Sequence, residues 1–435
     1  MPTPADLLPE DVLREIFTYS VQLPPEPRLF SGDYWSHFRP KGILILTHVC
    51  SRWRQIALSM PYLWSTIRIS AYDRPNVQFM HEWLSRAAAV PRTLFIALEE
   101  GRGRRDILYP IHTIFASYPF RRLSVFAYRY VFQGEHNIDL PNQLLEHLEE
   151  LNLDESRAMF PHDAKLPNLQ SLSITAECPP GKFQDYSTTI PWSQIRHLTL
   201  SEVSVAPGLL FSVLERCRHL EYCKIEYPKG YHPNSAPFHK ITLPNLQSFE
   251  LSTYDRPQDH FFSVECIKRL VIPSVNILQL SLWNVDTLVY SRVIEQSGGM
   301  LRLHTLTLSE RTADIGILLK LLPHLESLTV LRDLGSGIWQ DPSTGKLGPR
   351  LKHISSPVDS VDASLDFLKN RYRNAMCQPQ ITHLQSATFT FSRVRHFWDV
   401  IWDALESNGR GPYQCLRWNF RGNSNHTYTL DDLEN

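Results

Sequence analysis

Two short glycine-containing segments are the places where this sequence comes nearest to phosphate-binding chemistry. Residues 101–106 (GRGRRD) begin like a dinucleotide loop, but aspartate stands where a third glycine must allow close helix packing. Residues 344–347 (TGKL) have the Gly-Lys of a P-loop without its first glycine or its magnesium-binding hydroxyl. Neither segment predicts a nucleotide site.

Cysteine and histidine are present but are not arranged for catalysis or metal binding. The 7 cysteines are scattered and never spaced as C-x-x-C, which favours reduced, mostly buried thiols over disulfides or zinc. The 18 histidines are dispersed, and no H-E-x-x-H or G-x-S-x-G motif occurs. We therefore expect no metal, no cofactor and no enzymatic activity; an enzyme with an unrecognised site remains an alternative.

The bulk composition limits the class of partner. Lys and Arg number 44 against 45 Asp and Glu, so no overall field attracts nucleic acid or an anionic membrane. The first residues lack a basic stretch followed by a long apolar run, and no stretch of about 18 apolar residues follows. These features predict a cytoplasmic or nuclear protein of 435 residues, built as several domains or as stacked repeats.

One short apolar pattern returns throughout the middle of the chain. Its copies place apolar residues at the first, fourth and sixth positions, with spacings between 21 residues (Leu148 to Leu169) and 29 residues (Leu246 to Val275). This is the period of leucine-rich repeats. The clear copies begin at Leu148, Leu169, Ile195, Leu220, Leu246, Val275, Leu303 and Leu325. Weaker copies begin at Phe120 and Leu384, and Leu351 to Ile354 keeps only the first half.

Between these copies lie segments whose apolar residues have the spacing of a helix, for example Leu210, Val213, Leu214 and Cys217. Each repeat is thus predicted to be a strand plus a helix, and stacking would align parallel strands over a continuous core. The fold class we expect is α/β, an irregular leucine-rich-repeat solenoid, because the asparagine that usually follows the strand is mostly missing. Beyond it we expect two helices, around 358–372 and 394–405, and two strands, 382–391 and 415–420.

Residues between the leucines should point outward, because neighbouring residues in a strand face opposite sides. This face is rich in Ser and Thr and carries four acids against Lys224, a weakly acidic surface suited to a protein partner and not to nucleic acid. The candidate substrate-binding residues are Glu150, Asp154, Tyr222, Glu226, Glu250, Tyr254 and Trp283. For the aromatic residues, partial burial against the next repeat is the alternative.

Two amphipathic helices are predicted at the N-terminus. The first begins near Pro9, with Glu10 and Asp11 in its first turn where the helix dipole favours acids. The second spans 43–58 and is followed by the segment 61–64 (PYLW). A loop rich in proline and glycine, residues 22–42, separates them.

The segments 8–17 (LPEDVLREIF), 49–57 (VCSRWRQIA) and 61–64 (PYLW) resemble the F-box motif of fungal F-box proteins. The resemblance implies docking on a small Skp-type adaptor that connects to a cullin-RING ubiquitin ligase. The implied contacts are Leu8, Pro9, Val12, Leu13, Ile16, Phe17, Leu46, Val49 and Trp53. Without that resemblance, the two helices would read as a cap on the end of the solenoid.

The domains we predict are an F-box-like helical domain at 1–64 with the insertion at 22–42, a solenoid at 65–390, and a cap with an acidic tail at 391–435. The predicted function is that of a substrate-recognition adaptor of a ubiquitin ligase, holding an unknown protein substrate. The alternative is a leucine-rich-repeat interaction scaffold without any link to ubiquitination.

Overall fold

The architecture comes from a computed structural model of the chain. It describes residues 8–21, 41–70, 76–98, 113–127, 138–154, 158–161, 164–175, 186–203, 205, 207–227, 239–253, 268–281, 287–298, 301–308, 315–331, 348–358, 361–391, 397–420 and 428–429. The chain forms two compact units, the first made of Met1–Ala176 with Thr188–Pro191 and the second of Glu177–Ser187 with Trp192–Asn435.

The first unit begins with three helices and a 3₁₀ turn. Helix α1 spans Glu10–Val21, α2 Lys41–Val49 and α3 Ser51–Leu58, and the 3₁₀ turn covers Pro61–Trp64. Helix α1 starts where the proline signal predicts, with the amide of Leu13 donating to the Pro9 carbonyl. Residues 22–40 of the predicted insertion lie outside the described residues.

The prediction of one helix over 43–58 is wrong, because the chain breaks at Cys50. Cys50 is extended (φ −155°, ψ 172°), and its Sγ accepts the amide of Trp53 as the N-cap of α3. Arg54 Nε donates to the Thr47 carbonyl at 2.7 Å, satisfying a carbonyl in the last turn of α2. The apolar period continues across the break, which is why the sequence reads as a single helix.

Five parallel strands, paired in chain order, follow in the first unit. They are β1 Thr66–Ser70, β2 Arg92–Leu98, β3 Phe120–Ala127, β4 Glu150–Asp154 and β5 Ser171–Thr175. Helix α4 (Val77–Ser85) and the short helix α5 (Asn142–Leu145) lie between strands, as do the helical residues 113–117. Ile138–Asp139 and Ala158–Met159 form a separate small parallel pair.

The second unit contains nine described parallel strands, again neighbours in chain order, closed by one antiparallel strand. These are β6 His197–Ser201, β7 Tyr222–Tyr227, β8 Ser248–Thr253, β9 Ile277–Ser281, β10 Thr305–Leu308, β11 Ser327–Val330, β12 His353–Val358, β13 Ser386–Phe391 and β14 Leu416–Phe420. The antiparallel strand β15 (Tyr428–Thr429) pairs with β14.

Each helix described in the second unit lies between two strands. They are α6 Pro207–Arg216, α7 Thr287–Gln296, α8 Ile315–Leu321, α9 Val361–Cys377 and α10 Phe397–Asn408. Short 3₁₀ turns cover Trp192–Gln194 and Gly411–Tyr413, and Ile241–Thr242 pairs with Leu270–Val271. Of the helices that the structure describes, none is both long enough and apolar enough to cross a membrane.

Each predicted copy of the apolar pattern coincides with a strand. The first, fourth and sixth residues of the clear copies are buried, as at Leu169, Leu172 and Ile174, which are at most 1% exposed. In the weaker copy at Leu384, the first residue is only half-buried.

The half copy at Leu351 is followed by a full strand, β12. Ser356 stands at the sixth position of this copy, and its buried hydroxyl donates to the Pro357 carbonyl. That hydrogen bond allows a polar side chain to occupy a position that is apolar in the other copies. Strand β1, which lacks the full pattern, was not predicted.

A turn before the strand forms hydrogen bonds with the segment before an earlier strand. In the segments 166–169 and 243–246 (both LPNL), the leucine amide donates back three residues, from Leu169 to Leu166 and from Leu246 to Leu243. The intervening asparagine reaches the preceding repeat, with Asn168 Nδ2 donating to the Glu146 carbonyl at 2.8 Å. Asn245 makes the equivalent bond to the Arg218 carbonyl at 2.9 Å. In both segments the asparagine that makes this connection lies before the strand, whereas the sequence pattern of regular leucine-rich repeats has an asparagine after it.

Candidate functional site

The outer face of helix α1 is a stripe of exposed apolar side chains. Val12, Ile16 and Tyr19 are 38%, 41% and 66% exposed and follow the i, i+4, i+7 spacing of one helix face. Leu13 and Phe17 on the opposite face have no exposed surface. Exposed apolar residues at regular spacing are a feature of helices that bind a partner.

Helix α2 divides its apolar residues in the same way. Ile45 and Val49 are more than half exposed, whereas Ile43 and Leu46 are buried. Ile45 and, on α1, Tyr19 are surface residues that the sequence reasoning did not select. Their exposure depends on which side of each helix the other helices cover.

The residues predicted to contact an adaptor therefore separate into surface and interior positions. Pro9, Val12, Ile16 and Val49 are exposed, and Leu8 and Trp53 are half-buried. The structure buries the others, Leu13, Phe17 and Leu46, which would reach a partner only after rearrangement of the helices. Phe17 and Trp53 pack together with ring centroids 5.0 Å apart, which explains why α1 turns Phe17 inward.

Polar contacts fix α1 on the rest of the helical segment. Arg14 Nη2 lies 2.7 Å from Glu10 Oε1 and donates to Ser59 Oγ at 2.9 Å. Thr18 Oγ1 and the Tyr62 hydroxyl are 2.6 Å apart. These bonds orient the stripe of α1 away from α3.

Residues 5–70 match the family model described as F-box-like. The match covers the three helices, the 3₁₀ turn and strand β1, and it supports an F-box protein that docks on Skp-type adaptors in the manner general to that domain. No curated protein matches the chain.

The F-box-like domain packs against helix α4 of its own unit. Trp64 has no exposed surface, donates its Nε1 hydrogen to the Ala57 carbonyl and packs edge-on against Trp83 of α4 at 4.7 Å. Trp83 Nε1 in turn donates to the Thr66 carbonyl at the start of β1. The helices and the first strands thus share one core.

The strand face of the first unit carries arginines and aromatic residues that the sequence reasoning missed. Phe95 and Phe126 stack with centroids 6.3 Å apart. Arg122 Nε lies 3.1 Å from Glu150 Oε2, so this candidate acid is paired. The alternation of inward and outward side chains along β2 and β3 is the sequence signal that could have identified these residues.

The strand face of the second unit centres on Lys224. Its Nζ lies 2.9 Å from Glu226 Oε1 and 3.4 Å from Glu250 Oε1, and Gln279 Nε2 donates to the same Glu250 oxygen at 3.1 Å. Burial acts to lower the pKa of Lys224, but the hydrogen bond and charge of Glu226, with Glu250, raise it above its usual value. Burial, with Glu250 next, raises the pKa of Tyr222, which keeps its phenol protonated.

The expectation of an acidic strand face needs correction. The face also carries Arg68 and Arg122 in the first unit and Arg417 in the second, in the rows set by the strand registers. Lys224 pairs with both Glu226 and Glu250 and offsets one of their two negative charges. The described face is therefore close to neutral in each unit.

Other expectations for this face differ in detail or cannot be compared. Ser201, which the alternation in β6 places on the same side as His197, is buried at 7% exposure, whereas His197 is exposed. Tyr254, Trp283 and the side chain of Asp154 lie outside the described residues. The described partner-facing candidates are thus Glu150, Tyr222, Glu226 and Glu250.

The described cysteines are free thiols, but the prediction that they are mostly buried holds only for Cys217 and Cys223, since Cys50 and Cys415 are half-buried and Cys377 is exposed. Burial raises the pKa of Cys217 to about 12 and that of Cys415 to about 11, which disfavours the reactive thiolate. Within the described residues, no group of three or more His, Cys, Asp or Glu is arranged to hold a metal ion.

Proposed function

We propose that this protein is the substrate-recognition adaptor of a cullin-RING ubiquitin ligase, acting in the cytoplasm or nucleus. The observation that carries the proposal is the F-box-like match at 5–70 over helices whose outer faces expose Val12, Ile16 and Val49. These side chains bind the Skp-type adaptor, and the protein supplies position, not catalysis. It holds a substrate lysine near a ubiquitin-charged enzyme and so raises its local concentration.

We propose further that the strands after the F-box-like domain form an irregular leucine-rich-repeat solenoid. Three observations support this proposal. Strands that are neighbours in the chain pair with each other, and their register has no shift between β4 and β5 or from β6 to β11. In addition, asparagines before two of the strands donate hydrogen bonds to the preceding strand-helix unit. A single strand-helix unit could not bury its apolar side, so the repeats are stable only when stacked.

The substrate binds the strand face in this proposal. Tyr222 is the described anchor, because it is half-buried beside the Lys224 network and can present both a ring and a hydroxyl. A neutral, hydrogen-bonding face selects its target by shape and polar pairing more than by net charge.

The adaptor contact is tested by Ile16→Glu. A charge placed in an apolar interface should reduce capture of a purified Skp-type adaptor at least tenfold, since burying an unpaired carboxylate is costly. Leu301→Glu, which also replaces an exposed aliphatic residue (69%) but lies in the second unit, is the matched control and should capture normally. Equal capture by Ile16→Glu and the original chain would refute the assigned contact, provided that both melt at the same temperature.

Substrate binding is tested by affinity capture from cells with the proteasome inhibited. True substrates should be retained by Ile16→Glu, which loses the ligase subunits, and should be lost with Tyr222→Ala. The alternative, a repeat scaffold unconnected to ubiquitination, is compatible with the packing of Trp64 on Trp83, because an end cap would make the same contact. That alternative holds if no ligase subunit is captured by the original chain.

A further inference from the structure

A polar trough lies at the amino ends of strands β6 to β9, within the second unit. It has a volume of about 420 Å³, which is in the range of ligand-binding pockets. Unlike most such pockets, it is lined entirely by polar residues. An apolar ligand would gain nothing there, so the trough suits a charged or strongly hydrogen-bonding one.

The lining follows from the repeat register. Arg196, Glu221, Gln247 and Asn276 each come immediately before a strand, and their backbones continue the ladder beyond it. For example, the amide of Gln247 donates to the Glu221 carbonyl at 2.8 Å and that of Asn276 to Gln247 at 2.7 Å. Their side chains thus form a row with the spacing of adjacent strands, about 4.8 Å.

A second row comes from the turns two residues earlier in each repeat. It contributes His219, Asn245, Ser274 and Arg302. Asn245 is held in place because its amide donates to the Arg218 carbonyl. The site is therefore supported by backbone contacts between repeats and is not a collection of unconnected side chains.

The charges in the trough favour an anion. Glu221 is the one carboxylate among the lining residues, and its Oε1 lies 3.1 Å from Arg196 Nη1. Arg302 adds a guanidinium, His219 adds charge when protonated, and the amides add hydrogen-bond donors. A guanidinium binds a planar carboxylate or a phosphate through paired hydrogen bonds.

We propose that this trough binds the anionic side chains of an extended acidic segment of a protein partner. The proposal takes from the proposed function only that the partner is a protein, and it adds a recognition surface separate from the strand face. Successive acidic residues would lie along the two rows, with Arg302 receiving one anion. Carboxylates and phosphoserine share this chemistry.

Fluorescence anisotropy with the purified full chain tests the proposal. The probes are fluorescein-labelled hexaglutamate, a hexapeptide with two phosphoserines and hexalysine. We expect both anionic peptides to bind, hexalysine not to bind, and added sodium chloride to weaken binding. The relative affinity of the two anionic peptides distinguishes carboxylate from phosphate as the preferred anion.

Three variants locate the site. Arg302→Gln should raise the Kd for hexaglutamate about tenfold, whereas Arg373→Gln, the same charge change at an exposed position on α9, should leave it unchanged. Glu221→Gln should tighten binding, because it removes the competing carboxylate, and unfolding cannot produce that gain. An unchanged Kd in Arg302→Gln, looser binding in Glu221→Gln, or absence of anionic-peptide binding would overturn the proposal. None of these outcomes depends on adaptor capture.

Discussion

Arg371 is a charged side chain with only 1% of its surface exposed. Its Nη2 donates to the carbonyls of Gly348 and Pro349 at 3.0 Å, and it lies within 3.4 Å of those of Leu351 and Thr382. Burial lowers the pKa of Arg371 to about 10, a sign that the cation is costly to bury. These hydrogen bonds of Arg371 connect the turn before β12 to the segment before β13.

Replacement of this guanidinium tests its role. Arg371→Met keeps an unbranched apolar side chain but removes every donor, so we expect a loss of about 3 kcal/mol from the free energy of unfolding. Arg373→Met, exposed two residues later on the same helix, should change it by less than about 0.5 kcal/mol. Urea unfolding followed by tryptophan fluorescence measures both, and similar midpoints for the two variants would contradict the role.

At the scale of the element, the break between α2 and α3 shows how a weak cap can direct the chain. The sulfur of Cys50 accepts the Trp53 amide at 3.5 Å, a long and weak bond. The break directs α3 so that Ile56 and Ala57 are buried, while Val49 of α2 stays exposed. The partner-facing surface of the F-box-like domain thus depends on one residue that the helical period does not distinguish.

A better cap at this position should stabilise the domain. Serine and aspartate are preferred N-caps, so Cys50→Ser and Cys50→Asp should raise the stability of the first unit by about 0.5–1 kcal/mol. Differential scanning calorimetry measures this as an upward shift of the melting temperature. Cys377→Ser, at an exposed cysteine in the last turn of α9, is the control. A fall in melting temperature for both cap variants would show that Cys50 does not act as a cap.

At the scale of the molecule, the helical domain shares one core with helix α4 and strand β2 of the first unit. Trp64, Trp83 and Leu84 are almost completely buried together, and the amide of Thr93 donates to the Ser65 carbonyl at 2.9 Å. The predicted boundary between residues 64 and 65 therefore runs through this core. Point variants are consequently safer tests of adaptor binding than deletion of residues 1–64.

A chain that begins at residue 65 should expose this core. We expect it to bind the dye ANS and to be cleaved by trypsin between residues 66 and 127 at least tenfold faster than the full chain, because loss of α1–α3 uncovers Trp83. A chain that begins at residue 8 keeps all the described contacts and serves as control. If both truncated chains are digested at the rate of the full chain, residues 1–64 are an independent domain, as the sequence predicts.

The sequence by itself determined the strands with the apolar pattern, the interior side of each, and the start of helix α1, because these depend on periods of 2 and 3.6 residues and on local caps. Leu172 and Leu198 are buried where the pattern places them. Only the tertiary structure decided the neutral strand face, the split at Cys50, the burial of Arg371 and the trough beside Arg302. Each depends on side chains from different repeats, whose distances are fixed by strand register and helix packing, and no local period encodes them.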